Sequence, residues 1–144
     1  MKFRIGITGS DQYPTKIKIK NIIFNLKKQF GDELVIYSRG SLKGVDLYVK
    51  KFSIEFGIDY AEFTPSYHSK TLYSVNKNEY YYNKPYSGRD IYKRSLQMIK
   101  QCHAFILFKY EDDKVIDYMI TQITKSNKKF KLIEKHEAIR VRGN

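Results

Sequence analysis

Acidic residues are scarce in this chain: 15 Asp and Glu stand against 27 Lys and Arg, a formal charge of +12. The imbalance favours anionic partners without saying which kind. Cysteine is scarcer still. A single Cys102 excludes an internal disulfide, and the three scattered histidines, His68, His103 and His136, offer no metal-ligand spacing. Neither metal nor disulfide chemistry is expected. No stretch reaches the roughly 18 apolar residues that span a bilayer, so no membrane association is expected. The opening Met-Lys-Phe-Arg-Ile-Gly runs into a strand pattern rather than a signal peptide, and a cytoplasmic protein is expected. Long basic clusters are also missing. The excess lysine is spread over every segment in doublets such as Lys27-Lys28, Lys50-Lys51 and Lys128-Lys129, which reads as a solvated surface ahead of a nucleic-acid groove. The abundance of Lys, Ile, Asn and Tyr matches an AT-rich genome, such as that of a phage or a low-GC bacterium. In the phage case the protein would work in the host cytoplasm.

What is present fits one folded domain. The 144 residues, 42% hydrophobic and 29% charged, suffice for a single core. Residues 1–134 are read as that domain, interrupted by a long irregular loop at 64–88, and residues 135–144 as a basic tail.

Strand and helix patterns alternate along the chain. Phe3, Ile5 and Ile7 alternate with Lys2, Arg4 and Gly6 as a first strand ending at Thr8-Gly9-Ser10. Pro14 and Thr15 can open a helix with Ile19, Ile22, Ile23, Leu26 and Phe30 on one face, closed by Gly31. Leu34 to Tyr37 read as a buried strand. A loop, Ser38-Arg39-Gly40-Ser41-Leu42-Lys43-Gly44-Val45-Asp46, leads into a helix through Phe56 that Gly57 closes. Ile58 to Phe63 make a third strand. From Ser66 to Ser87 tyrosines, lysines and asparagines replace any period, a composition suited to a lid, a subunit contact or simple cover for apolar surface. A helix resumes at Gly88-Arg89-Asp90 with Ile91, Ser95, Met98 and Cys102 on one face, so Cys102 reads as a buried small residue. Ala104 to Phe108 form a central strand, Asp112 and Asp113 favour a helix start that runs to Lys125, and Phe130 to Ile133 close the sheet.

This alternation predicts an α/β, Rossmann-like three-layer sandwich: a parallel five-stranded sheet, order 3-2-1-4-5, with helices on both faces. Ligands of such sheets sit beyond the carboxyl ends of the strands where the order reverses, between the first and fourth strands. The loops at Thr8-Gly9-Ser10 and at Ser38 are expected to meet there. Two glycines four apart permit a tight turn, and the free N–H groups of the next helix, with Arg39 and Lys43, suit a phosphate.

The residues Ile5-Gly6-Ile7-Thr8-Gly9-Ser10, Gly40-x-x-x-Gly44-Val45-Asp46, Phe63-x-Pro65, then Arg89 and Arg94 before Ala104-Phe105-Ile106, together resemble the SLOG superfamily and are close to its YspA-like branch. The resemblance covers residues 3 to 133. It implies a Rossmann-like domain binding a nucleotide or an ADP-ribose-type ligand, with no further cofactor required, and a homodimer or higher homo-oligomer. By position it assigns ligand binding to Thr8, Gly9, Ser10, Ser38, Arg39, Gly40, Gly44, Asp46, Arg89 and Arg94. Asp46 would hold a ribose hydroxyl or cap its helix; Arg89 and Arg94 would grip phosphate or form surface ion pairs. Members that cleave the base from a nucleoside monophosphate resemble Pro-Gly-Gly-x-Gly-Thr followed by glutamate, which this chain lacks, so a sensor or sequestering protein is favoured over catalysis. A phosphoribohydrolase-type hydrolase using Asp46 or Glu62 is one alternative. A nucleic-acid binder, by charge and by analogy with DNA-processing members of the superfamily, is another.

Overall fold

A computed structural model of the chain describes residues 2–65, 74–76 and 88–135, apart from the side chains of 64–65, 74–76 and 88–91. The elements are β1 (Phe3–Gly9), α1 (Lys16–Phe30), β2 (Leu34–Ser38), α2 (Val45–Glu55), β3 (Asp59–Pro65), β4 (Ser74–Asn76), α3 (Gly88–Gln101), β5 (Ala104–Tyr110), α4 (Lys114–Lys125) and β6 (Lys129–Lys135). The five main strands are parallel in the expected order, and the three-residue β4 extends the sheet beside β3, giving β4-β3-β2-β1-β5-β6. That added strand lies within the stretch read above as irregular. A segment that short carries too few side chains to show a period, so only pairing to β3 defines it. The rest of the tyrosine-rich segment and residues 136–144 fall outside the described residues.

Helices α1 and α2 cover one face, packing Ile19, Ile23, Val45, Val49 and Phe52 on Ile5, Ile7, Leu34 and Ile36. Helices α3 and α4 cover the other, with Met98, Ile99, Cys102, Ile116, Met119 and Ile123 over Phe105 and Leu107. The central strands are therefore buried on both sides. On the second face of β1, Gly6 makes room for its neighbours: a Cβ there would lie 2.5 Å from Met98 Cε and 2.9 Å from a Phe105 ring carbon.

The helix ends follow local chemistry. Asp113 caps α4 by accepting the N–H groups of Val115 (3.0 Å) and Ile116 (3.2 Å). Thr15 takes the capping position of α1 but makes no side-chain cap bond. Gly57, at φ 69°, follows the end of α2. Among the described residues no helix is long and apolar enough to cross a membrane.

Candidate functional site

The carboxyl ends of β1, β2 and β5 surround a crevice of about 500 Å³ at the point where the strand order reverses. Its lining includes Gly9 and Ser10 after β1, Arg39 and Ser41 after β2, Arg94 from α3, and Glu111 and Asp113 after β5. Parallel sheets bring these loops together because every strand ends on the same edge.

Arg39 is the structural centre of this wall. Only 5% exposed, it donates through Nε to Thr8 Oγ1 (2.8 Å) and through Nη2 to the Gly9 carbonyl (3.1 Å). Behind it lies Asp46, 1% exposed, with a carboxylate oxygen 3.8 Å from Arg39 Nε. Asp46 also accepts the Thr8 hydroxyl and, at 3.0 Å, the Ser41 N–H. A buried carboxylate and guanidinium compensate each other best when hydrogen bonds support both; here both Asp46 oxygens accept bonds and Arg39 donates from Nε and Nη2. Arg94, reaching in from α3, donates from Nη1 to the Arg39 carbonyl at 2.9 Å. Two buried guanidinium groups thus line one cavity.

A second relay supports the β2 loop. Gly40 N–H donates to Ser38 Oγ at 3.1 Å, Ser38 Oγ lies 2.6 Å from Tyr60 Oη, and Tyr60 donates to Glu62 Oε1 at 2.9 Å. Because the Tyr60 proton points to Glu62, Ser38 is the donor to Tyr60. Burial, then the neighbouring Glu62 charge, holds the Tyr60 phenol far above its ordinary pKa, so it remains a donor. Lys50 Nζ lies 3.7 Å from Glu62.

The residues named from sequence lie at two depths around the crevice. Gly9, Ser10, Arg39 and Arg94 line the crevice. Thr8, Ser38, Gly40, Gly44 and Asp46 lie outside its lining, in the layer that shapes the loops. The amides of Gly40 and Ser41 turn inward to Ser38 and Asp46, while the Arg39 side chain of the same loop lines the crevice. Asp46 binds the loop instead of capping α2. Gly44, at φ 71°, touches the first loop: a Cβ there would sit 2.5 Å from Asp11 Cα and 2.6 Å from its carbonyl oxygen. Arg89 belongs to the first turn of α3, and its side chain is outside the described residues.

Sequence reasoning missed the third wall, from Tyr110 to Asp113. The rule used for the first two strands should have found it, since the fourth main strand borders the same switch point. Ser10 ties this wall to β1, donating to Asp113 Oδ2 at 2.6 Å and accepting Tyr110 N–H at 3.0 Å. Glu111 holds a left-handed backbone at φ 54°, uncommon for a residue with a Cβ. Asp11, at the mouth, has its carboxyl raised above the usual aspartate range, first by burial and then by the Asp46 and Asp113 charges, against the opposing pull of Arg39 and Lys43. Among the described residues no group of three or more His, Cys, Asp or Glu could hold a metal ion. A larger cleft, about 700 Å³, runs between α3 and α4 past Tyr92, Leu96, Ile99 and Gln122. It lies away from the strand carboxyl ends, where the polar groups converge.

No family model matches the chain, and no curated protein matches it by sequence. Solved structures do. The molybdenum cofactor binding protein of the phototrophic bacterium Rippkaea orientalis shares the fold at TM-score 0.64 and 15% identity, over 94% of this chain and 78% of that one. The Moco carrier protein of Chlamydomonas reinhardtii matches at TM-score 0.62 and 17% identity, over 98% and 82%. DNA processing protein A (DprA) of Streptococcus pneumoniae matches at TM-score 0.57 and 13% identity, over 90% and 58%. At these identities the likeness is one of fold, and it agrees with the observed sheet order.

Proposed function

We propose that the chain binds a nucleotide or nucleotide-derived ligand, the ADP-ribose type included, as a sensor or sequestering protein, in the crevice at the switch point. The observation that carries the reading is Arg39, a buried guanidinium that lines the cavity and is held rigid from behind by Thr8, Gly9 and Asp46. Such a group meets a phosphate without losing side-chain freedom on binding. The sequence resemblance to the SLOG superfamily and its YspA-like branch supports the same class, and similarity in fold to proteins that bind or carry a molybdenum cofactor supports ligand binding or sequestration more generally. The proposal takes residues 1–134 as one binding domain, 135–144 as a basic tail, and a homodimer or higher homo-oligomer as the assembled form.

A hydrolytic role has less support. Asp46 and Glu62 are 1% and 4% exposed, engaged in the networks behind the wall, and neither lines the crevice. An acid or base must reach the reacting group. A nucleic-acid role draws on the +12 charge and on the fold of DprA, yet the crevice itself is rich in carboxylates.

Native mass spectrometry of gently purified protein, followed by calorimetric titration with nucleotides, tests the proposal. A co-purifying nucleotide is expected, with affinity falling by about 1.5–3 kcal/mol in Arg94→Ala through loss of a charge-assisted bond. Tight oligonucleotide binding that persists at 200 mM salt, with no nucleotide affinity, would refute it.

A further inference from the structure

The crevice is more acidic than a phosphate site needs to be. Four carboxylates, Asp11, Glu111, Asp112 and Asp113, line it against two guanidinium groups, a net of minus two among the described lining residues. Their depths differ. Arg39 and Arg94 are 5% and 6% exposed, whereas Asp11 and Asp112 are exposed and Glu111 and Asp113 are half-buried. The positive charge therefore lies at the base and the negative charge towards the mouth. Asp46 further offsets Arg39 from behind at 3.8 Å.

Resting on the nucleotide reading of this site, we infer that the crevice selects a ligand with a single phosphate and discriminates against each phosphate added to it. One phosphate fits against the two guanidinium groups. A second or third must extend towards the mouth and meet carboxylates. Asp11 stands at that mouth with its carboxyl raised above the usual aspartate range, first by desolvation of the part that faces the crevice and then by Asp46, with Arg39 and Lys43 opposing. A further anion at the mouth loses solvent in the same way and faces Asp11, Glu111, Asp112 and Asp113. With a net negative lining at the mouth, each added charge lowers affinity several-fold. Monophosphates thus rank above diphosphates, and ADP-ribose, with two phosphates, falls in the weaker group. The same mouth keeps a polyphosphate strand out, so the excess lysine elsewhere on the surface does not make this crevice a nucleic-acid groove.

The experiment is calorimetric titration of the full chain, in EDTA at constant ionic strength, with the mono-, di- and triphosphates of adenosine and guanosine and with ADP-ribose. It is repeated on the Glu111→Gln, Asp112→Asn double variant. The expected result is a several-fold loss of affinity per added phosphate in the native chain and a flattened series in the variant. Triphosphates that bind as well as or better than monophosphates would overturn the selectivity while leaving the nucleotide site intact, as would a series unchanged by the variant. Binding by none of the nucleotides would instead remove the functional reading on which the inference rests.

Discussion

Gly44→Ala tests whether the two loops of the site abut as described, and Gly31→Ala is its internal control. Both glycines adopt nearly the same backbone conformation, φ 71° and ψ −144° at Gly44 against φ 57° and ψ −135° at Gly31. A residue with a Cβ is strained there by about 1–3 kcal/mol whatever its surroundings. The surroundings differ. A Cβ at Gly31 meets nothing within 4 Å, while at Gly44 it meets Asp11 Cα, O and C at 2.5, 2.6 and 2.7 Å. Those are backbone atoms, so relief requires the loops after β1 and β2 to separate by nearly an ångström. Overpacking of this kind costs about 1–3 kcal/mol more. Urea unfolding followed by circular dichroism should place Gly31→Ala about 1–3 kcal/mol below the native chain, and Gly44→Ala lower by a further 1–3 kcal/mol with an unchanged m-value. The loop movement should also weaken any crevice ligand in Gly44→Ala alone. If the two variants unfold within about 0.5 kcal/mol of each other, the close contact between Gly44 and Asp11 is refuted, and with it the arrangement of the first two walls.

Two further outcomes follow from the ionisable groups. The Asp11 carboxyl is raised in the folded state, so folding takes up protons more readily there; its contribution is fully present below the unfolded pKa and is lost as pH rises through the folded value. Asp11→Asn should therefore lessen the loss of stability between acidic and neutral pH, read from melting temperatures across that range, and an identical pH profile would count against a raised Asp11 carboxyl. Burial pushes the Cys102 thiol up to about 12, so iodoacetamide at pH 8 should leave the native chain unmodified and label it only in denaturant. Rapid native labelling by intact-mass analysis would contradict the packing of α3 on β5.

Much of the architecture was determined locally, by the sequence itself. Apolar periods of 3.6 in α1 and short β-branched runs such as Leu34 to Ile36 specify element types, and Gly31, Gly57 and Asp113 mark helix ends by their own backbone and side-chain chemistry. Alternation of these elements then leaves few topologies, and the switch point follows from the strand order. The position of the crevice was therefore legible in one dimension. The role of each residue within it was not. Arg39 and Asp46 are seven positions apart in sequence, one in the loop and one in the first turn of α2, yet Thr8, which the sheet brings alongside from another strand, bonds to both. The same is true of Gly44, whose function comes from the backbone of Asp11 rather than from the turn that contains it. Hydrogen-bond partners across a parallel sheet are fixed by three-dimensional register, and a linear pattern holds no record of which donors have already been used. The tertiary structure alone decided that the amides of Gly40 and Ser41 turn inward and that two guanidinium groups lie at the base of an acidic mouth.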